Sequence, residues 1–262
     1  MKELIEMEQQ EFTELTGHSG HVAVIIVAAG KSSRFHDEYY KKPFVPLKNR
    51  AVWLHCVDRF INRSDVKQVI LVIAEEDRED FSIRFGAETA ILGVDVTIGG
   101  ATRAGSVQKG LAKVRAGVEL IAVHDAARPC ISEIWIDELF MEAQRSGAAI
   151  LGTPIVSTVK RVVDGRIQET VEREGLWEAQ TPQVCKREFL ESAYTNVENY
   201  ANATDEAQLL EWAGYDVQIV KGSPLNRKIT TQDDISFVEM AMRALPKPKL
   251  DTPTNPLDDM WR

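Results

Sequence analysis

Residues 22–35, VAVIIVAAGKSSRF, decide the fold of this chain, because an apolar run stops there at a turn of small residues. The uninterrupted apolar run at 22–27 predicts a buried strand. The Gly-Lys-Ser ending is that of a phosphate-binding P-loop, but the P-loop has an earlier glycine where this chain has Ile25, inside the strand. The dinucleotide-binding fingerprint is excluded as well, since no further glycine follows Gly30 within the turn.

The turn after this strand is suited to holding a phosphate group against the backbone. Ala28, Ala29 and Gly30 have little or no side chain, so a ligand can approach their N–H groups, which can cradle an anion. Cations crowd the residues that follow, at Lys31, Arg34, Lys41 and Lys42. An ordinary βα turn, in which Gly30 permits a tight bend, is the alternative interpretation.

The rest of the body alternates strand-like and helix-like patterns. Apolar, β-branched runs predict strands at QVILVIA, VDVTIGG, ELIAVHD, AAILGTPI and DVQIV. Amphipathic patterns predict helices at AVWLHCVDRFINR, TRAGSVQKGLAKV, EIWIDELFMEAQRSG, 187–194 and ATDEAQLLEWAG, and a last helix from Thr231 with Asp234 in a capping box. This alternation is typical of βαβ units, so we expect an α/β fold with a mostly parallel, twisted sheet and helices on both faces. Ligands of such sheets bind at the carboxyl ends of the strands.

Two further strand ends carry residues suited to a nucleotide. Gly99 and Gly100 follow VDVTI and precede a helix that contains Ser106, and paired glycines let the backbone approach a flat base or ribose; a plain turn is the simpler interpretation. ELIAV is followed by HDAARP, where Asp125 is a reasonable Mg²⁺ ligand, because Mg²⁺ usually takes one or two carboxylates plus phosphate oxygens and water. A cap or turn role is the alternative for Asp125, and a structural hydrogen bond is favoured for His124.

Residues 155–173, IVSTVKRVVDGRIQETVER, break the alternation of strands and helices. Apolar and polar residues alternate around Asp164-Gly165, which is a strong signal for a tight hairpin. A hairpin alone is marginally stable. We therefore expect an inserted β-arm that packs on another surface, such as a second subunit.

Composition limits the functional class. The 262 residues are 44% hydrophobic with a net charge of −9, which suits one large α/β domain at 21–244 and argues against a nucleic-acid partner. No apolar run is long enough to span a membrane. The acidic N-terminal extension, 1–20, is unlike a secretory signal, and scattered cysteines without metal spacing indicate reduced thiols and a cytoplasmic location. The proline- and charge-rich tail, 245–262, is predicted to be disordered.

The inventory of strand-end residues suits phosphoryl or nucleotidyl transfer. It contains lysines, arginines, one aspartate and glycine-rich turns, and it lacks a coherent Ser-His-Asp set or a zinc motif. Such transfers depend mainly on positioning and charge neutralisation. An attacking phosphate is already largely ionised at neutral pH, since its second pKa is about 6, so a general base is not needed.

Taken in order, these motifs resemble those of the 2-C-methyl-D-erythritol 4-phosphate cytidylyltransferase family of the non-mevalonate isoprenoid pathway. The matching segments lie between 22 and 240 and are AAGKSSRF, GGATRAGSV, VHDAARP, STVKR, VEREGLWEAQTPQ, ATDEA and NRKIT. VHDAARP and LWEAQTPQ are the specific ones. The resemblance implies a Rossmann-like nucleotidyltransferase fold, a homodimer joined through the β-arm, Mg²⁺ as cofactor, and coupling of CTP with methylerythritol 4-phosphate to give the CDP-alcohol and pyrophosphate.

The resemblance also implies roles for individual residues on the nucleotide side. The nucleotide loop and the contacts to cytosine and ribose would come from Ala28, Ala29, Gly30, Gly100, Ala101 and Ser106. The catalytic cations would be Arg34, Lys42 and Lys228. Arg34 and Lys42 would hold the triphosphate and the leaving pyrophosphate, and Lys228 would neutralise the pentacoordinate phosphorus. Asp125 would bind Mg²⁺.

On the acceptor side, the resemblance implies that the β-arm reaches the sugar phosphate of the neighbouring subunit through Thr158 and Arg173. Thr204 would help to hold the same substrate. The chain departs from the family pattern at Ser157, where the arm usually has an aspartate near the polyol.

The nucleotide loop also departs from the family pattern. Ser32 replaces a second glycine and Phe35 replaces a methionine, and one residue is inserted ahead of the loop lysine, so Lys41 is an alternative to Lys42. Two other functions stay open on these residues. One is a cytidylyltransferase for another polyol phosphate such as ribitol 5-phosphate, and the other is a non-catalytic nucleotide-binding module.

Overall fold

The structure is a computed structural model, and it describes residues 20–30 and 41–247. The N-terminal extension up to residue 19, the loop cations Lys31 and Arg34, and the tail beyond residue 247 therefore lie outside the described residues. Leu245, at the start of the predicted tail, is buried, and the Pro246 carbonyl accepts a hydrogen bond from Ser132.

A seven-stranded sheet forms the centre of the molecule, in the order β11-β7-β10-β6-β1-β4-β5. The strands are β1 (Val22–Val27), β2 (Pro46–Leu47), β3 (Arg50–Ala51), β4 (Val66–Ile73), β5 (Asp95–Ile98), β6 (Leu120–Asp125), β7 (Ala148–Pro154), β8 (Val159–Val163), β9 (Arg166–Val171), β10 (Trp177–Lys186) and β11 (Gln218–Lys221). All neighbours pair in parallel except β10, which runs antiparallel to both β6 and β7. The predicted mostly parallel sheet is confirmed.

Helices cover both faces of this sheet. They are α1 (Val52–Val57), α2 (Arg78–Leu92), α3 (Arg103–Leu111), α4 (Glu133–Ser146), α5 (Arg187–Asn196), α6 (Glu206–Trp212) and α7 (Asp233–Ala244). Short 3₁₀ turns lie at Lys42–Phe44, Glu75–Asp77 and Tyr200–Asn202. Among the described residues, no helix combines the length and the apolar character needed to cross a membrane.

The central strand β1, formed by the apolar run at 22–27, is covered on both of its faces. Val24 and Ile26 pack into the core on one face, with Trp53 of α1, while Ile25 packs on the other face with Val107 of α3. A strand that is covered on both faces exposes neither face to water, so its sequence is apolar throughout.

The carboxyl ends of the central strands meet at one edge, where their turns are joined by backbone hydrogen bonds. The Ala28 N–H donates to Val72 O at 2.8 Å, and the Gly99 N–H donates to Ile73 O at 2.8 Å. The Ala126 N–H donates to Val27 O at 3.1 Å. The turns after β1, β5 and β6 are thereby fixed beside one another.

The predicted β-arm is confirmed as a two-stranded antiparallel sheet, β8 and β9, separate from the main sheet. Its turn places Asp164 at φ 49° and Gly165 at φ 75°, as a two-residue hairpin turn with both central residues left-handed requires. Val162 and Ile167 are more than half exposed.

Among the elements that were not predicted, the two longest are strand β10 and helix α2. The central strand β10 contains Pro182 and the polar run EAQTPQ, and its register is irregular between Ala179 and Gln183. Proline has no N–H for the ladder, and a proline in the sequence argues against a central strand. Helix α2 was missed because its periodicity is poor: Phe81 and Phe85 are buried, but Ile83 and Ile91 are 78% and 85% exposed.

Several predicted helices differ in their limits, and the first and the last illustrate the differences. The helix at AVWLHCVDRFINR is shorter than its pattern, since α1 ends at Val57 and continues as turns. The last helix begins at Asp233 rather than Thr231. The predicted capping partner is present, because the Asp234 carboxylate accepts the Thr231 N–H at 2.9 Å.

Candidate active site

A cavity of about 620 Å³ opens over the carboxyl ends of β1, β5 and β6. Most of the sequence-predicted nucleotide, metal and phosphate residues are among those that line it: Ala28, Ala29, Gly30, Gly100, Ala101, Ser106, Asp125 and Lys228. Residues from three strand ends and from the loop after β11 thus meet around one space.

The glycine turn after β5 forms one wall of the cavity because backbone packs directly on backbone there. A Cβ atom on Gly100 would lie 2.8 Å from the backbone carbon of Gly105 in α3, so a side chain does not fit. Ser106 accepts the Gly100 N–H at 3.1 Å and donates to Thr102 O at 2.9 Å. Ser106 is buried and fixes the shape of this wall.

Asp125 is the electrostatic centre of the site. Its carboxylate accepts a hydrogen bond from the Lys228 ammonium at 2.7 Å and from an Arg103 N–H at 3.5 Å, and Arg128 Nε lies 3.6 Å away. Burial alone would raise the pKa of Asp125, but the three cations outweigh burial and hold the pKa well below its usual range. Asp125 is therefore ionised at neutral pH, and one carboxylate faces three positive side chains.

Arg103, at the first turn of α3, is held in the cavity wall by a second carboxylate. Its guanidinium donates to the two oxygens of Glu206 at 2.7 and 2.9 Å, the bidentate arrangement that arginine favours. Burial lowers the pKa of Arg103, but Glu206 and Asp125 outweigh this and hold it above its ordinary value. Burial raises the pKa of the fully enclosed Glu206, and Arg103 opposes that rise.

A buried network beneath Asp125 fixes the HDAARP turn. The Asp125 N–H donates to Thr181 Oγ1 at 3.0 Å, and Thr181 Oγ1 lies 3.2 Å from His124 Nδ1. His124 Nε2 lies 3.0 Å from Arg128 O, which can only accept, so the proton is on Nε2. Nδ1 then accepts the Thr181 hydroxyl. Burial lowers the pKa of His124 to about 4, which keeps the ring neutral.

Of the four predicted loop cations, only Lys41 has a side chain within the described part of the structure. Lys41 lies at the rim, where its ammonium is 3.0 Å from Glu76 Oε1 and 2.8 Å from Asp77 Oδ1. Burial would lower the pKa of Lys41, but these two carboxylates outweigh it and raise the pKa. Lys42 begins the 3₁₀ turn that follows, and its side chain, like the whole of Arg34, lies outside the described part of the structure.

The predicted acceptor residues do not line this cavity within one chain. Thr158 and Arg173 are exposed at the base of the β-arm, where the Arg173 guanidinium donates to Val156 O. Thr204 lies in the wall of a separate open cavity of about 570 Å³ beside α6. Their predicted roles remain predictions.

The donor set fits a metal ion that shares its coordination with substrate. Within residues 20–30 and 41–247, no group of three or more His, Cys, Asp and Glu side chains could hold a metal by itself. Asp125 offers a single ionised carboxylate at the cavity wall, which matches the way Mg²⁺ is bound through one or two carboxylates and substrate phosphates. Any metal held at Asp125 would therefore take its remaining ligands from substrate phosphates and water.

Sequence reasoning quoted Arg103, Arg128 and Thr181 within motifs but gave them no role, and it did not single out Glu206. Arg103 and Arg128 each follow a strand end within four residues of a predicted ligand, which is the signal that identifies them. Glu206 and Thr181 carry no such signal, because their contacts cross long stretches of chain.

A mostly parallel α/β sheet, a cavity walled by backbone, and a carboxylate facing several cations are the features expected of a nucleotidyltransferase. The family model of IspD, 2-C-methyl-D-erythritol 4-phosphate cytidylyltransferase, matches residues 22–244. The chain belongs to this family.

Individual relatives agree with that membership. The chain is 39% identical over 226 residues to a 2-C-methyl-D-erythritol 4-phosphate cytidylyltransferase of Bacillus velezensis, covering 84% of this chain and 95% of the relative. It is 37% identical to one of Rhodopirellula baltica, covering 83% and 93%. A crystal structure of the enzyme from Thermus thermophilus superposes with a TM-score of 0.69 at 30% identity, covering 85% of this chain and 99% of that one. A crystal structure of a 4-diphosphocytidyl-2C-methyl-D-erythritol synthase gives 0.72 at 30% identity, with coverage of 85% and 99%.

Proposed function

We propose that this chain, a cytidylyltransferase that transfers the cytidylyl group of CTP to 2-C-methyl-D-erythritol 4-phosphate in isoprenoid precursor synthesis, acts as a Mg²⁺-dependent homodimer. A phosphate oxygen of the acceptor forms a new bond to the α-phosphorus of CTP. The bond from that phosphorus to the bridging oxygen of the β-phosphate breaks, and pyrophosphate leaves. The family model and the relatives support the cytidylyltransferase reaction.

One observation carries the mechanism: Asp125 faces Lys228 and Arg103 in the wall of the cavity, and Arg128 Nε lies 3.6 Å from the same carboxylate. A triphosphate brings several negative charges, and fixed cations such as Lys228 and Arg103 would stabilise the charge that develops during transfer. Mg²⁺, bound through Asp125 and the phosphates, would supply further charge neutralisation when present.

The proposed site residues have different roles according to where they lie around the cavity. The backbone around Gly30 and Gly100 would bind the nucleotide, with Ala28, Ala29, Ala101 and Ser106 shaping the walls. Lys228 would approach the reacting phosphorus, and Arg34 and Lys42 would hold the triphosphate from the loop. The acceptor phosphate is already ionised near neutral pH, because its second pKa is about 6. The absence of a general base from the proposed set is consistent with this chemistry.

The homodimer is supported by the β-arm. Val162 and Ile167 are exposed apolar residues on a hairpin that stands apart from the main sheet, and such a hairpin gains stability by packing on another surface. Thr158 and Arg173, at the base of the arm, would contact the sugar phosphate bound to a neighbouring subunit. Thr204 would help to hold the same substrate. Ile167→Asp should convert a dimer to monomers in sedimentation velocity, with Arg166→Asp on the same strand as the control. A wild-type monomer would disprove the dimer.

We also propose a cytosolic location for the domain at 21–244. Its three cysteines, Cys56, Cys130 and Cys185, are free thiols enclosed in the core. Unpaired cysteines are typical of proteins in a reducing compartment. Fractionation of the producing cells, with detection of the native protein, tests the location.

Pyrophosphate release with CTP and Mg²⁺ tests the function directly. The assay compares methylerythritol 4-phosphate with ribitol 5-phosphate as acceptors, and Lys228→Ala controls for contaminating activity. Preference for methylerythritol 4-phosphate is the expected result. Preference for ribitol 5-phosphate would keep the nucleotide site and overturn the acceptor, a result that Ser157 would help to explain. Binding of CTP without turnover on either acceptor would favour a non-catalytic module.

A further inference from the structure

Lys228 lies on a short loop whose backbone is tied to one buried carboxylate, that of Asp234. We propose that Asp234 is a positioning residue that holds the loop so that the Lys228 ammonium reaches the reacting phosphates. The inference rests on the proposed role of Lys228 and extends it to a residue that does not line the cavity.

The Asp234 carboxylate accepts five hydrogen bonds from the residues on either side of Lys228 and Ile229. Oδ1 accepts from Arg227 Nε at 2.9 Å. Oδ2 accepts the backbone N–H groups of Thr230 and Thr231 at 2.8 and 2.9 Å. The hydroxyls of both threonines also donate to Oδ2, at 2.7 and 3.2 Å. A single side chain therefore closes the loop around the lysine.

Two further contacts hold the opposite side of the loop against the HDAARP turn. The Ile229 N–H donates to Ala127 O at 2.8 Å, and the Ile229 side chain is completely buried. The carbonyl of Asn226 accepts an Arg128 N–H at 2.7 Å. With these anchors and Asp234 in place, Lys228 is half-buried and its ammonium lies 2.7 Å from Asp125.

Capping of α7 alone does not account for this arrangement. Asp233 occupies the same first helical turn, is exposed, and supplies a negative charge to the helix N-terminus. Asp234, by contrast, is 5% exposed, and besides the capping contact with Thr231 its carboxylate accepts from Arg227 and Thr230, which lie further ahead of the helix. The adjacent pair provides a matched comparison of two aspartates in one turn.

Steady-state kinetics of Asp234→Ala, Asp234→Asn and the control Asp233→Asn test the proposal. Small misplacements of a catalytic group can cost about 100-fold, so we expect kcat of Asp234→Ala to fall by about 10- to 100-fold, with KM for CTP nearly unchanged. Asp234→Asn retains one acceptor oxygen and should lose less. Asp233→Asn should match wild type. A kcat for Asp234→Ala within about twofold of wild type, measured well below its unfolding temperature, would overturn the proposal.

Two further readouts separate positioning from general structure. If Asp234 acts through Lys228, adding Asp234→Ala to Lys228→Ala should cause no further loss of kcat, since coupled residues are not additive; an equal loss in both backgrounds would contradict the proposal. Hydrogen exchange should accelerate at 226–231 in Asp234→Ala, and unchanged exchange there would refute it. If Asp234→Ala does not fold, Asp234→Asn carries these comparisons. If wild type shows no turnover, the proposed function fails, and hydrogen exchange alone decides whether Asp234 orders the loop.

Discussion

The ammonium of Lys228 lies 2.7 Å from Oδ2 of Asp125, across 103 positions of sequence. This pair joins the end of β6 to the loop that follows β11. Arg103 approaches the same carboxylate from α3, and Arg128 approaches it from the turn that follows β6. Arg103 is also paired with Glu206, so the cluster sets three cations against two carboxylates, and the remaining positive charge can interact with a polyphosphate.

Replacing Lys228 with alanine should lower kcat by at least about 100-fold while CTP still binds. The proposed contact is made mainly in the transition state, and an interaction of that kind affects the rate more than ground-state binding. Stopped assays give kcat, and titration calorimetry with CTP gives the affinity. Lys221→Ala, on an exposed lysine at the end of β11, is the matched control. Turnover near the wild-type level would remove Lys228 from the catalytic set.

Asp125→Asn should raise the Mg²⁺ concentration needed for half-maximal activity. An amide is a weaker ligand than an ionised carboxylate for a hard cation, and the substitution also leaves Lys228 without its charged partner. A magnesium titration at saturating CTP measures the shift. Asp80→Asn, on the outer side of α2, should leave the titration unchanged. A wild-type titration for Asp125→Asn would argue that the carboxylate has no part in metal binding.

Much of this site was predictable because the carboxyl ends of parallel strands lie at the same edge of a sheet. Asp125 and Gly100 come at the end of apolar runs, so their positions at the end of β6 and after β5 follow from the fold class alone. Lys228 follows no strand-end rule, and its role came from the resemblance of NRKIT to the family motif.

What sequence reasoning missed depends on contacts between distant segments. The importance of Glu206 comes from Arg103, 103 positions away, and no local pattern separates it from an ordinary acid in the first turn of a helix.

Strand β10 was missed for a related reason. Its polar residues Gln180, Thr181 and Gln183 are buried and hydrogen-bonded beneath the site. Because these positions are polar, the segment lacks the apolar run that predicts a buried strand.

Glu206→Gln should destabilise the folded protein by about 3 kcal/mol. Removing one partner of a buried ion pair leaves the other charge without compensation, which typically costs about 3–5 kcal/mol, and Arg103 keeps a longer contact with Asp125 at 3.5 Å. Urea unfolding followed by circular dichroism measures the change. Glu211→Gln, an exposed position on the same helix, should change stability by less than about 0.5 kcal/mol. Equal effects at both positions would show that the buried pair has no special importance.

Arg173→Ala should raise KM for the sugar phosphate more than KM for CTP. Arg173 is exposed at the base of the β-arm and outside the nucleotide cavity, so a loss confined to the acceptor is expected if the arm serves a neighbouring subunit. Initial rates with each substrate varied in turn give both constants. Arg166→Ala, at the far end of the arm, is the control. Equal increases in both KM values would place Arg173 elsewhere in the mechanism.

The buried His124 should make stability fall as the solution is acidified. Its pKa is about 4 in the folded protein against 6.5 as the ordinary value, because burial disfavours the charged ring. Between these pH values the unfolded chain takes up a proton that the folded protein refuses, so stability is complete above about pH 6.5 and decreases as the pH falls towards 4. The total loss is on the order of 3 kcal/mol, at 1.36 kcal/mol per pH unit.

Urea unfolding of wild type and His124→Asn from about pH 4.5 to about pH 7 isolates this effect. Asp125 does not contribute in this window, because the pKa of its carboxyl is held below the ordinary 3.8. His55, whose pKa burial also lowers, and Glu206, whose pKa burial raises, are present in both proteins, so their contributions cancel in the comparison. The variant should be less stable at pH 7, because the Arg128 carbonyl loses its Nε2–H donor, but its stability should depend less steeply on pH. Identical slopes would show that His124 does not stay neutral in the folded protein while it is protonated in the unfolded chain.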